Sequence, residues 1–106
     1  MKISVIGAGA MGGAMVQGML KGKTFANDDI TVADPSVKAL EQFDGTGATI
    51  TTDNTQAATA SDIVAVVVKP WLVESVLKGI KDNLDYARQM LIVVAAGVSS
   101  PQIKEW

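Results

Sequence analysis

Residues 63–68, Ile-Val-Ala-Val-Val-Val, form an unbroken apolar run between Asp62 and Lys69. A run of that length is far short of the roughly 18–20 apolar residues that a membrane-spanning helix needs. It is β-branched and does not alternate with polar residues, so it reads as a strand with both faces buried. Strands of this kind belong to parallel sheets with helices packed on each side. The rest of the chain therefore has to supply those helices and the neighbouring strands.

It does so in alternation. Ile3, Ser4, Val5 and Ile6 make a first short strand that stops at Gly7. Residues 11–21 are apolar and small, with Met11, Met15, Val16, Met19 and Leu20 near helical spacing. That spacing predicts a helix ending near Gly22, with its methionines filling the core. A polar loop over 23–29 leads to a second strand, Ile30 to Ala33, stopped by Asp34-Pro35-Ser36. Pro35 or Ser36 can open a short helix over 37–43, ended by Gly45 and Gly47. A weak strand over 48–51 precedes a helix over 55–60, for which Asp53 or Asn54 can serve as N-cap. After the apolar run and Lys69-Pro70, a helix is expected over 71–84, with Val73, Val76, Leu77, Ile80 and Leu84 on one face. A fifth strand is expected over 90–94, then a turn Ala95-Ala96-Gly97-Val98 and a further helix from Pro101. The order βαβαβαβαβα predicts an α/β domain, a Rossmann-type doubly wound and mainly parallel sheet. One domain is expected over residues 1–106. The final residues read as an interrupted helix, which makes the expected domain a piece of a longer protein.

The chemistry concentrates at Gly7, Ala8, Gly9, Ala10, Met11 and Gly12, a G-x-G-x-x-G turn between the first strand and the first helix. That context turns a common three-glycine spacing into a dinucleotide-binding signature. The first glycine permits the tight turn. The second lets a pyrophosphate approach the backbone, and the third lets helix and strand pack closely. Helix N-terminal amides near Ala10 and Met11 face the phosphates with the positive end of the helix dipole. The cofactor is expected to be NAD or NADP; a P-loop is excluded because no G-x-x-x-x-G-K-[ST] occurs. A glycine-rich turn without a ligand and a methyltransferase-type nucleotide site remain competing readings.

Asp34 follows the second strand, where such folds place the residue that reads the adenosine ribose. A carboxylate there accepts ribose hydroxyls and repels a 2′-phosphate, which favours NAD, while Ser36 and Lys38 beside it argue the other way. The bland alternative is that Asp34 only starts the turn before Pro35. Val67, Val68 and Lys69 leave the central strand at the sheet edge where ligands bind. Lys69 is a solvated charge, an ion-pair partner or a general acid, and Pro70 stops the strand. Ala95, Ala96 and Gly97 are small enough to admit a flat ring against the backbone. Trp71 covers a sheet edge or the ligand trough, or simply packs.

Composition narrows the function. There is no cysteine and no histidine. Thiolate nucleophiles, Cys-based zinc sites, disulfides and the usual imidazole base are therefore excluded, and no metal site is expected. A net charge of -2 offers no basic field to nucleic acid or an anionic membrane. The N-terminus lacks the apolar stretch of a signal peptide, and a cytoplasmic location is expected. No catalytic residue can be named from these residues.

Several stretches together resemble one family. Residues 1–12, Met-Lys-Ile-Ser-Val-Ile-Gly-Ala-Gly-Ala-Met-Gly, are similar to the opening of pyrroline-5-carboxylate reductases. Val67-Val68-Lys69-Pro70 resembles their V-K-P segment, and Val94-Ala95-Ala96-Gly97-Val98 their A-A-G-V turn. Asn54 stands where that family carries a cofactor-contacting asparagine. The resemblance implies hydride transfer from NAD(P)H to the C=N bond of 1-pyrroline-5-carboxylate, giving L-proline. By the same resemblance Gly7 to Gly12 hold the pyrophosphate and Asp34, Pro35 and Ser36 meet the adenosine ribose. Asn54, Val67, Val68, Lys69 and Pro70 contact the cofactor, and Ala95, Ala96 and Gly97 lie near the nicotinamide. It further implies an all-helical C-terminal domain, absent from this chain, that builds a homo-oligomer and supplies much of the substrate site. The 106 residues alone are then expected to bind cofactor without turnover. Hydroxyacid or phosphogluconate-type dehydrogenases share the glycine turn and form the alternative reading, with a non-catalytic nucleotide module as another.

Overall fold

A computed structural model describes residues 2–22, 25–59, 61–85 and 88–93. The expected turn at 94–98, with Ala95, Ala96 and Gly97, and the expected helix from Pro101 lie outside the described residues. The elements in chain order are β1 (Ile3–Ile6), α1 (Ala10–Gly22), a 3₁₀ turn (Asn27–Asp29), β2 (Ile30–Ala33) and α2 (Val37–Leu40), which continues as a 3₁₀ turn (Glu41–Phe43). They are followed by β3 (Thr49–Thr51), α3 (Asn54–Thr59), β4 (Ile63–Val66), α4 (Pro70–Ile80), a 3₁₀ turn (Lys81–Asn83) and β5 (Met90–Val93).

The five strands lie in the order β3-β2-β1-β4-β5, and every pairing is parallel. The doubly wound α/β reading is therefore borne out. β1 is central: Ile3 to Ile6 pair in register with Ile30 to Ala33 on one side and Ile63 to Val66 on the other. The pleat sends alternate residues to opposite faces, and each face carries its own core. Ile3, Val5, Val32 and Ala65 pack with Val16 of α1 and with Leu40 and Phe43. Ile6, Ala33, Val64 and Val66 pack with Ala57 and Ala58 of α3 and Val73, Leu77 and Ile80 of α4. Helices α1 and α2 thus cover one face, and α3 and α4 the other.

Ser4 is fully buried on the second face. Its hydroxyl contacts the Ser61 hydroxyl and donates to the Ala57 carbonyl at 2.5 Å. Gln89 is similarly enclosed; its amide donates to the carbonyls of Ala58 and Ser61, each at 2.6 Å, and its oxygen accepts from the Asp85 amide at 2.8 Å. These bonds satisfy polar groups that would otherwise cost about 1–3 kcal/mol each when buried. They lock the start of β4 against the end of α3.

The structure departs from the sequence reading in several places. The central strand ends at Val66 rather than Val68, although the Val67 amide still donates to the Ile6 carbonyl at 2.8 Å. The helix expected over 37–43 is α for one turn only, then 3₁₀. Met11 is 60% exposed and fills no core, whereas Met15 and Met19 pack against the first cluster. Met11 sits in the first turn of α1, outside the cluster that takes in Met15 and Met19. Trp71 is 75% exposed, so it covers nothing among the described residues.

The amino ends of the inner strands β1 and β4 are tied by Asp62. Its carboxylate accepts the Lys2 amide at 2.9 Å and pairs with Arg88 at 3.3 Å. The Lys2 amide, and secondarily the Arg88 charge, hold its carboxyl below the usual value of 3.8. A depressed folded pKa contributes stability that is fully present above 3.8 and is lost as pH falls through the folded value. We expect Asp62→Asn to lower the melting temperature at pH 7, with the difference from wild type narrowing as pH falls below 3.8. A constant difference across that range, in thermal melts followed by circular dichroism, would contradict this assignment.

Candidate functional site

The strand order places a topological switch point between β1 and β4, because the chain winds outward from β1 to β3 and then crosses back to β4. Open α/β sheets bind ligands at the carboxyl ends of the strands beside such a point. Four loops meet there: Gly7 after β1, Asp34 after β2, Asn54 at the start of α3 and Val68 after β4. All four line one cleft of about 350 Å³, closed on the far side by Leu72 and Val76 of α4.

The glycine turn is shaped by close backbone packing. Gly7 has φ +109°, and its amide donates to the Ala33 carbonyl at 2.7 Å. A Cβ at Gly7 would lie 2.1 Å from the Val67 carbonyl oxygen, and one at Gly12 would lie 1.8 Å from the Gly7 carbonyl oxygen. Both glycines are therefore demanded by the protein itself. Gly9 differs: a Cβ there would meet nothing within 4 Å. Its missing side chain leaves open space at the bend, which suits a group brought in from outside. Helix α1 begins at Ala10, and its first regular bond runs from the Gly13 amide to the Gly9 carbonyl at 2.7 Å. The amides of Met11 and Gly12 lie in the first turn, where no helical carbonyl can meet them.

Asp34 reaches into the glycine bend. Its Oδ2 accepts the Ala8 amide at 2.8 Å, so that donor is already taken by a side chain. Oδ1 accepts the Ser36 amide at 2.8 Å, which is the Asx turn expected of an Asp-Pro-Ser stop. The turn-starting reading of Asp34 is thus met by Oδ1, while Oδ2 ties the carboxylate to the glycine bend. The carboxylate sits on the β2 side of the bend and leaves the Gly9 side clear. Ser36 caps α2 through its hydroxyl, which accepts the Ala39 amide at 3.3 Å. Pro35 lines the cleft and is exposed.

Between Asp53 and Asn54 the structure chooses the first as N-cap. Asp53 Oδ1 accepts the amides of Thr55 and Gln56 at 2.9 and 3.1 Å. Asn54 becomes the first residue of α3 and turns to the cleft. Its Oδ1 is buried and has no hydrogen-bond partner. Buried acceptors are rarely left so, and this one belongs to a residue that lines the cleft.

Val67 is buried under the glycine turn, Val68 lines the cleft, and Lys69 is exposed with no ion pair among the described residues. Lys69 is the N-cap position of α4 and Pro70 its first residue, where the missing amide costs nothing. Leu72, Ser75 and Val76 line the cleft but were not singled out as site residues in the sequence. Their i, i+3, i+4 spacing marks a common helix face, but only the packing of α4 reveals that this face meets the cleft. No group of acidic residues that could hold a metal is found among the described residues.

The pyrroline-5-carboxylate reductase of Methanosarcina acetivorans is 36% identical to this chain over 100 residues, which take in 92% of the chain and 36% of that protein. A solved structure of a pyrroline-5-carboxylate reductase from Coxiella burnetii matches with a TM-score of 0.91 and 31% identity, over 99% of this chain and 39% of that one. The pyrroline carboxylate reductase of Plasmodium falciparum, solved with NADP bound, matches with a TM-score of 0.84 and 26% identity, over 98% of this chain and 37% of that one. The chain thus spans 36–39% of the length of these relatives. The resemblance noted in the sequence is borne out. Residues 2–97 match the family described as NADP oxidoreductase, coenzyme F420-dependent, and with the glycine turn, the switch-point cleft and the doubly wound sheet in place, the chain belongs to that family.

Proposed function

We propose that residues 1–106 are the dinucleotide-binding domain of a longer, two-domain reductase that carries hydride from NADH or NADPH to the C=N bond of 1-pyrroline-5-carboxylate, forming L-proline. The observation that carries this reading is the convergence of the glycine turn, Asp34 and the unpaired Asn54 Oδ1 on one cleft at the switch point. The relatives named as pyrroline-5-carboxylate reductases support the choice of substrate.

The residues present fit the cofactor. The open space at Gly9 and the first-turn amides of α1 receive the pyrophosphate. Asp34 meets the adenosine ribose, and Asn54 Oδ1 accepts a hydrogen bond from the bound dinucleotide. The bound nicotinamide supplies the hydride. The chain's own residues bind and orient it, with Val68 and the Lys69-Pro70 corner at the edge of the cleft. The remaining domain, helical by family resemblance, completes the imine site and joins the subunits of a homo-oligomer. A cytoplasmic location is part of this reading; among the described residues no helix is long and apolar enough to cross a membrane.

The test is an absorbance assay of the full-length protein with NAD(P)H and 1-pyrroline-5-carboxylate, beside calorimetric titration of the dinucleotides. Turnover is expected from the full-length protein, and binding without turnover from residues 1–106. Asn54→Ala should weaken dinucleotide binding about tenfold, the loss of roughly one hydrogen bond, with an unchanged or raised melting temperature because an unpaired buried acceptor is removed. Failure to bind either dinucleotide overturns the domain assignment. Binding without reduction of the imine by the full-length protein overturns the substrate.

A further inference from the structure

We infer that this domain selects NADH over NADPH, and that Asp34, clamped by the glycine turn itself, makes the selection. The inference rests on the dinucleotide reading above and goes beyond it, since the family description and the Plasmodium relative both name NADP.

Two hydrogen bonds fix the carboxylate and a third fixes its backbone. Oδ2 accepts from the Ala8 amide and Oδ1 from the Ser36 amide, both at 2.8 Å, while the Asp34 amide donates to the Thr51 carbonyl at 3.2 Å. Ala8 is only 3% exposed. Swinging the carboxylate aside would strand the Ala8 amide away from water, which opposes any move to make room for another anion. The side chain is therefore a fixed negative charge on the wall of the cleft, beside Gly7 and Asn54. Each oxygen holds one protein donor and keeps a second lone pair, enough to accept the two hydroxyls of an unmodified adenosine ribose.

A 2′-phosphate in the same place would bring close to two negative charges against that carboxylate. No lysine or arginine lines the cleft among the described residues. Lys38, the nearest cation along the chain, is exposed on α2 and is not part of the lining. The Ser36 hydroxyl caps α2 by accepting the Ala39 amide and keeps its proton, so it offers a phosphate one neutral donor and no compensating charge. The structure thus resolves the opposition between Asp34 and the Ser36–Lys38 pair in favour of Asp34.

The experiment is parallel titration of the full-length protein with NADH and NADPH, by calorimetry or nicotinamide fluorescence, at about 20 mM and about 500 mM salt. NADH should bind at least about tenfold more tightly at low salt, equivalent to about 1.4 kcal/mol. The gap should narrow at high salt, because charge repulsion at a half-buried site is screened. Asp34→Asn keeps the side chain's shape and one acceptor and should move the ratio about tenfold toward NADPH. If that variant does not fold, the wild-type ratio and its salt dependence still decide. NADPH binding as tightly as NADH at both salts overturns this inference while leaving the domain assignment intact. Binding of neither overturns both.

Discussion

Gly12→Ala is expected to destabilise the domain by about 3 kcal/mol, and Gly7→Ala by as much or more. Alanine in a helix interior is ordinarily better than glycine by about 1 kcal/mol, so the usual expectation has the opposite sign. Here the new methyl would sit 1.8 Å from the Gly7 carbonyl oxygen, a backbone atom with no rotamer to escape into. Relieving it means lifting α1 off β1, which disturbs the first core around Val5 and Val16. Overpacking of this kind costs about 1–3 kcal/mol, occasionally more. At Gly7 the 2.1 Å approach to the Val67 carbonyl oxygen adds to the φ of +109°, itself worth about 1–3 kcal/mol for a residue with a Cβ. Against a total of roughly 5–15 kcal/mol for a domain, either change removes a large share. Urea unfolding followed by circular dichroism measures it. Gly18→Ala is the control: its Cβ would meet nothing within 4 Å, so the propensity gain should appear there. A Gly12→Ala protein as stable as that control would show that the helix does not pack on the turn as described.

Gly9→Ala should do the reverse: keep the fold and lose the ligand. Nothing in the protein lies within 4 Å of the added methyl, so the melting temperature should stay within a degree or two of wild type. Dinucleotide affinity should fall at least about tenfold, and further for Gly9→Val. Each charge-assisted bond from a main-chain amide to a phosphate oxygen is worth about 1.5–3 kcal/mol, and a methyl that holds the pyrophosphate off weakens one or two of them. That is a factor of roughly ten to a few hundred. Calorimetric titration beside a thermal melt separates the two effects. Undiminished binding by Gly9→Val would place the phosphates elsewhere and remove the central premise of the functional reading.

Much of the fold was legible because the signals were local. The apolar run over 63–68 demanded cover on both faces, and Val64, Ala65 and Val66 are fully buried. Gly7 and Gly12 could be assigned in advance because a tight strand-to-helix turn has few chemical solutions. Other features were not legible. Met11 and Met15 share a helix face in the sequence, but only Met15 packs against the core; which turn of a helix lies over its sheet cannot be read from spacing. Asp53 and Asn54 were equivalent as caps, and only the path of the chain out of β3 turned one to the helix amides and the other to the cleft. Gln89 gave no sign of its role, because its partners Ala58 and Ser61 are brought to it by strand pairing.

From its residue order alone this chain was bound to be an alternating α/β sheet with a glycine bend after the first strand, because hydrophobic period and turn chemistry are properties of neighbours along the chain. The order β3-β2-β1-β4-β5 brought Asp34, Asn54 and Gly7 to one cleft. Only that arrangement put the Asp34 carboxylate on the Ala8 amide. Those contacts join residues 20 or more positions apart, and their geometry depends on which strands pair and where each helix crosses, which no local pattern encodes.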